Sequence, residues 1–384
     1  MLIVACISGH GFGHGARTAA VLSALAALEP GWRIVLSTPL PADVLAVAMG
    51  PVPFLHRPCR WDVGVVQADA LGADEAATLA ALEQLERDLP LRIEQEAAWI
   101  AAQGQPVLVL GDVPPAAALL AARLGAPLVW LASFGWEAIY APMGGPFLAW
   151  AEHCRALYAR GQLLLRCPLA LPIAWGLPEQ PLGLVSARPR LDAAQLRRQL
   201  ALPPDPERCV LVSFGGMGFQ LDPALLARWP EYVYIGTDPA LAGPANGRHL
   251  PAGARPLDLM PLARRVITKP GFSTFCEAFS WGLGCMRCGG GGLRKHRCWR
   301  GICRPTATTA CSAGSNCSAA TGSSTSPCCP PAADPWRPMG RPWRPVSWPG
   351  KAGGCWGVIS SANERSAAGL RFCSLNSLKS CRQQ

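Results

Sequence analysis

The chain has 384 residues, more than one ordinary domain and suited to two α/β domains, with 35 Lys and Arg against 25 Asp and Glu for a net charge of +10. Such an excess would point to nucleic acid or an anionic membrane as partner, but it lies wholly beyond residue 284, where 14 basic side chains face 2 acidic ones; the first 284 residues carry 21 and 23. That near-neutral part excludes a phosphate-backbone binder, and its 6 scattered cysteines out of 17 predict a reduced, cytoplasmic protein.

The opening run LIVACI is short, lacks a basic leader and passes straight into glycines and histidines, which predicts a buried strand over Leu2 to Ile7 rather than a secretory segment. An apolar-periodic helix candidate runs from Ala16 to Leu28, and a second strand from Arg33 to Ser37. Asp74 to Ala102 is helical in composition, with Pro90 as a kink or break. Strands are predicted at Val107 to Leu110 and Leu128 to Ala132. The apolar stretch from Ala116 to Trp136 contains Arg123, Gly125 and Pro127, so no membrane span is predicted there.

Prolines crowd between Arg166 and Arg190, the pattern of an extended linker. Beyond it come a helix candidate at Leu191 to Leu200 and strands at Cys209 to Phe214, Tyr232 to Ile235 and Val266 to Thr268. Short continuous apolar runs alternating with longer amphipathic ones predict doubly wound α/β structure, with parallel strands covered on both faces. The expected organisation is a Rossmann-like domain over 1–160, a linker over 161–190, a second Rossmann-like unit over 191–284 and a tail over 285–384. Two such units joined by a linker leave a cleft between them.

The segment SGHGFGHGAR follows the first strand and opens the first helix, so Gly9, Gly11, Gly13 and Gly15 lie in a strand-to-helix turn whose free amides favour an anion or a developing negative charge. GFGHGA loosely fits a dinucleotide fingerprint, but that fingerprint wants an acidic residue after the second strand, where Ser37 and Thr38 stand. A P-loop is excluded because no Gly-Lys-Ser/Thr closes the turn. His10 and His14 flank Phe12; either could take a proton from an attacking hydroxyl, or simply hydrogen-bond the loop. VSFGGMG repeats the arrangement with Gly215, Gly216 and Gly218, a second amide-rich loop for phosphate oxygens or only a tight turn. TKPGFSTFCEA places Gly271 and Thr274 at a helix start and Glu277 in its first turns, where the carboxylate could meet the helix dipole or take both hydroxyls of a ribose.

With these residues the chain resembles the GT-B glycosyltransferases related to the peptidoglycan N-acetylglucosaminyltransferase, and more closely the N-terminal region of plant-type L-arabinokinases. The resemblance runs from Ile3 to Gly284 through GHGFGHGAR, GVVQADAL, GDVPPAA, SFGWEAIYA, the FGG loop and KPGFSTFCEA. It implies a GT-B fold, two Rossmann-like domains facing across a cleft, with a nucleotide sugar of UDP type as donor and a hydroxyl acceptor. It also implies that Gly11, Gly13, Gly215, Gly216, Gly218, Gly271 and Thr274 line the donor side, that Glu277 holds the donor ribose, and that His14 and Asp112 form the catalytic side. Asp112 has a helix-capping role as its alternative. No tightly bound cofactor and no metal are implied, because amides and helix dipoles meet the charge of the leaving diphosphate. The phosphate loop of the arabinokinases, of Gly-Leu-Ser-Ser-Ser-Ala type, has no match here, so sugar-kinase activity is not implied. A non-catalytic nucleotide-sugar sensor stays open beside the transferase.

From Cys285 onward the family pattern stops and Cys-, Arg-, Pro- and Trp-rich sequence with almost no acidic residues begins. This is what a GC-rich gene yields when read out of frame, which would make the second domain incomplete and the product inactive. A zinc module from Cys285, Cys288, His296 and Cys298 is the rival, but only one Cys-x-x-Cys pair has ligand spacing. Disorder fits that composition better.

Overall fold

The computed structural model describes residues 1–66, 73–214, 223–251, 253–268 and 271–287. The first part runs β1 (Leu2–Ile7), α1 (Phe12–Leu28), β2 (Arg33–Ser37), α2 (Ala42–Met49), β3 (Leu55–Arg57), α3 (Glu75–Ala101), β4 (Val107–Asp112), α4 (Ala117–Leu124), β5 (Leu128–Ala132), α5 (Trp136–Tyr140), α6 (Phe147–Tyr158), β6 (Leu163–Arg166) and β7 (Glu179–Pro181). These strands form one parallel sheet in the order β3-β2-β1-β4-β5-β6-β7. The second part runs α7 (Ala193–Gln199), β8 (Cys209–Ser213), α8 (Pro223–Ala227), β9 (Val233–Gly236), β10 (Gly247–His249), α9 (Pro256–Leu259), β11 (Arg265–Thr268), α10 (Phe272–Ser280) and β12 (Gly284–Arg287), and builds a parallel sheet in the order β10-β9-β8-β11-β12.

The opening apolar run needs no polar alternation because both of its faces are covered. Leu2, Val4 and Cys6 join the core under α3 and α4, with Ile100, Ala117 and Leu120. Ile3, Ala5 and Ile7 join the opposite core, under α1 and α2, with Leu22, Leu45 and Met49. Asp74 caps α3, its carboxylate accepting from the Ala77 amide at 2.9 Å. This helix continues through Pro90, so of the kink or break expected there no break occurs. Glu86, whose carbonyl loses its donor there, and Pro90 both lie on the solvent face, where water can replace the missing bond.

Two boundaries differ from the sequence expectation. The stretch read as linker from residue 161 contributes β6 and β7 to the first sheet, paired through Leu164↔Glu179 and Leu165↔Gln180. Of its prolines, Pro181 ends β7, and Pro168, Pro172, Pro178 and Pro189 sit in the irregular stretches before and after it. Next to them, Arg190 donates to the Val47 and Ala48 carbonyls at the end of α2, both at 2.5 Å, while its own amide donates to Asp258 in α9 at 2.8 Å. The second boundary, set at 284, falls inside β12, where Cys285 is buried and pairs with Val266. The rest of the tail, including Cys288, His296, Cys298 and the out-of-frame reading from 288 on, lies outside the described residues. So do Gly215, Gly216 and Gly218. Among the described residues no helix is long and apolar enough to cross a membrane.

Candidate functional site

Strand order reverses between β1 and β4 in the first sheet and between β8 and β11 in the second. Crevices at such switch points, beyond the carboxyl ends of the strands, are where α/β sheets bind ligands. The predicted residues fall at these ends. The turn leaving β1 is shorter than expected, holding Gly9 and Gly11, because α1 starts at Phe12 and takes Gly13 and Gly15 into its first turn; Asp112 is the last residue of β4, and Gly271 follows β11. Register places Ile7 beside Asp112.

Gly11 caps α1 with φ 107°, a conformation that favours glycine, and no side chain caps the helix start. His14 lies in the first turn of α1, and its Nδ1 is 2.8 Å from Asp112 Oδ1. Asp112 has no solvent exposure and accepts from side chains around both oxygens. Arg17 donates through Nε to Oδ2 at 3.0 Å and through Nη2 to Oδ1, and Thr18 donates its hydroxyl to Oδ2 at 2.6 Å. These partners are side chains of α1, so Asp112 is not the cap considered for it; α4 begins at Ala117 with Ala116 before it.

Burial alone would raise the Asp112 carboxyl, but the Arg17 guanidinium and then His14 outweigh it and hold the group at about 2. The same pairing keeps buried Arg17 charged against its own desolvation. Asp112 is therefore an ionised, acceptor-only carboxylate, and the proton between it and His14 sits on Nδ1. Nε2 is then the acceptor of the ring. It has no hydrogen-bond partner among the described residues, and the side chain is 11% exposed. Val113, next in the chain, is held at φ 80°, unusual for a β-branched residue, with its carbonyl accepting from the Tyr158 hydroxyl at 2.6 Å.

His10 goes elsewhere. Its ring meets Trp136 edge-on at 5.3 Å, and its amide donates to the Ser8 hydroxyl at 3.2 Å. Trp136 in turn donates Nε1–H to buried Asp62 at 2.8 Å. Burial raises the Asp62 carboxyl, while bonds from Ser8 and Trp136 pull against it.

The second sheet reaches this turn through α10. Ser273 donates its hydroxyl to the Gly13 carbonyl at 2.8 Å, and Phe272 stacks on Phe134 at 5.7 Å, the ring whose edge also meets His14 at 5.9 Å. A Cβ on Gly13 would fall 3.2 Å from the Ser273 hydroxyl oxygen, tighter than an ordinary contact. Gly271 caps α10, Thr274 lies in its first turn, and Glu277 follows half-buried in its second. Burial raises the Glu277 carboxyl to about 7; Arg255 opposes the shift and Asp258 adds to it. A cavity of about 590 Å³, lined by Thr237, His249, Leu250, Pro251 and Ala254 among others, opens at the carboxyl ends of β9 and β10.

Sequence reasoning brought His14, Asp112, Gly11, Gly13, Gly271, Thr274 and Glu277 forward, and it missed Arg17, Thr18, Ser133 and Asp62. A signal existed for Arg17, a lone cation at the head of an Ala- and Leu-rich helix, three residues after His14 and so on the same face. None existed for Ser133 or Asp62, whose partners lie 116 and 74 positions away.

No family model matches the chain. L-arabinokinase of Arabidopsis thaliana is 28% identical over 288 residues, which are 72% of this chain and 27% of that protein, so the chain spans about a quarter of the relative's length. Among solved structures, a UDP-glucosyltransferase from Polygonum tinctorium capable of glucosylating indoxyl superposes with a TM-score of 0.55 at 15% identity, covering 79% of this chain and 82% of that one. UGT2 of Phytolacca americana, complexed with UDP-2fluoro-glucose and pterostilbene, gives 0.53 at 12% identity, with 79% and 83% covered. The fold is GT-B. Among the described residues, no group of three His, Cys, Asp or Glu side chains is placed to hold a metal ion.

Proposed function

We propose that this chain transfers a sugar from a nucleoside-diphosphate sugar, of UDP type, to a hydroxyl acceptor. The observation that carries the reading is His14, held through Nδ1 by ionised Asp112 at a switch point of a GT-B fold, with Nε2 as the acceptor nitrogen at the mouth of the crevice. In the reaction, the acceptor oxygen attacks the anomeric carbon, the bond from that carbon to the diphosphate breaks, and UDP leaves with the electron pair. The hydroxyl proton passes to His14 Nε2. The amides opening α1 and α10 would face the growing charge on the diphosphate. Glu277 would accept from the ribose hydroxyls, and the cavity beyond β9 and β10 offers room for the base.

The likeness in fold to a UDP-glucosyltransferase and to UGT2 complexed with UDP-2fluoro-glucose supports this reading. Turnover is tested by incubating the full chain with a panel of UDP-sugars and measuring UDP release with and without alcohol and phenol acceptors. Substituting His14→Ala should lower the rate by about 100-fold or more, the usual share of a general base, and Glu277→Ala should weaken UDP binding. Tight UDP binding with no release from any donor would instead favour the sensor, and no UDP binding would overturn both.

A further inference from the structure

Beneath His14 lies a buried cation that general-base chemistry does not itself require. Arg17 is 5% exposed and uses its whole fork: Nε to Asp112 Oδ2 at 3.0 Å, Nη2 to Asp112 Oδ1, and Nη1 to the Ser133 hydroxyl at 2.8 Å. With Thr18 and His14 added, the four acceptor positions of the Asp112 carboxylate meet four donors. Arg17 Nη2 and His14 Nδ1 lie 3.3 Å apart because both aim at the same oxygen.

We propose that Arg17 is a positioning residue that fixes the tautomer of His14: by clamping Asp112 as an anion of set orientation, it keeps the imidazole proton on Nδ1 and the lone pair on Nε2. This rests on the reading of His14 as base. The alternatives without Arg17 follow from charge. A fully buried carboxylate that loses its guanidinium must take up a proton or draw one onto its remaining neighbour. If Asp112 is protonated, it donates to Nδ1 and the ring proton moves to Nε2, where it blocks proton acceptance. If His14 becomes imidazolium, Nε2 is protonated as well. Both outcomes remove the base while leaving the ring in place.

Among the described residues, no side chain besides Arg17, His14 and Thr18 donates to the Asp112 carboxylate, so none there replaces the guanidinium. Among the described residues, Asp112 from β4, Asp62 with Ser8, Phe134 from the loop after β5 and Ser273 of α10 face this turn, and Cys167 and Cys276 lie near Arg17; none of them is positively charged. A lysine at position 17 would keep the charge but lose the planar fork that spans both carboxylate oxygens and Ser133.

The test uses the full chain with its histidines labelled with nitrogen-15, the His14 signals being assigned by their loss in His14→Ala. Wild type should show a protonated Nδ1 and an unprotonated Nε2 at neutral pH. In Arg17→Gln the Nε2 signal should move to a protonated position, and kcat should fall by at least 30-fold with donor KM within threefold. Arg17→Lys, the milder variant should the first not fold, should keep the tautomer signature but lose five- to tenfold in kcat at unchanged KM. A folded Arg17→Gln with the wild-type ring signals, or Arg17→Lys with wild-type kcat, overturns the inference. The failure of the base reading looks different: His14→Ala would then turn over normally, whereas the ring signals would still report whether Arg17 controls the tautomer.

Discussion

Replacing Asp112 by Asn removes the one anion on which the buried cluster stands. Asp112 has no exposure and Arg17 is 5% exposed, so the substitution leaves a guanidinium where water does not reach. Removing one partner of a buried ion pair costs about 3–5 kcal/mol, because the other charge is left uncompensated. The carboxyl gives a second figure: its displacement from 3.8 to about 2 corresponds to roughly 2–3 kcal/mol at about 1.36 kcal/mol per pH unit. The two agree within the spread of such values, and each is a large part of a net stability of ~5–15 kcal/mol. A lowered carboxylate contributes above its unfolded pKa, near 4, and the contribution is lost as pH falls through about 2. Urea denaturation of wild type and Asp112→Asn should therefore differ by about 3 kcal/mol at neutral pH, and the gap should close as pH falls from about 4 towards about 2. The double variant Arg17→Met/Asp112→Asn leaves no charge unpaired and should cost less than the two single changes summed. Strict additivity, or a neutral-pH difference below about 1 kcal/mol, would refute the reasoning.

Three further outcomes are expected. Because burial raises Glu277 to about 7, the ionised form that accepts ribose hydroxyls grows as pH rises through that value; calorimetric titration with UDP should show affinity strengthening up to about tenfold between about pH 6 and 8, and Glu277→Gln should flatten that profile. Gly13→Val should press α1 away from Ser273 and lower stability by about 1–3 kcal/mol in denaturant, whereas Ser273→Ala, which only deletes the bond to the Gly13 carbonyl, should cost less. Trp136→Phe strips buried Asp62 of one of its donors and should destabilise by about 1–3 kcal/mol; an unchanged melting temperature would show that this bond contributes nothing.

The sequence alone determined the elements that rest on local rules. Doubly wound α/β structure was legible because Leu2 to Ile7 is apolar at every position, as a strand covered on both faces must be. The helical stretch was placed from Asp74, which caps α3, and the glycines after β1 marked a strand-to-helix turn. His14, Asp112 and Glu277 could be singled out because glycine turns and family motifs surround them. Only the tertiary structure decided what these residues meet. That Asp112 is shared between His14 and Arg17, that Ser133 closes the clamp, and that Ser273 touches Gly13 across 260 positions are consequences of strand order and register, which no periodicity encodes. The proline-rich stretch misled for the same reason: whether an extended segment is a free connector or an edge strand depends on whether a neighbouring strand, here β6, offers its unpaired amides and carbonyls to it.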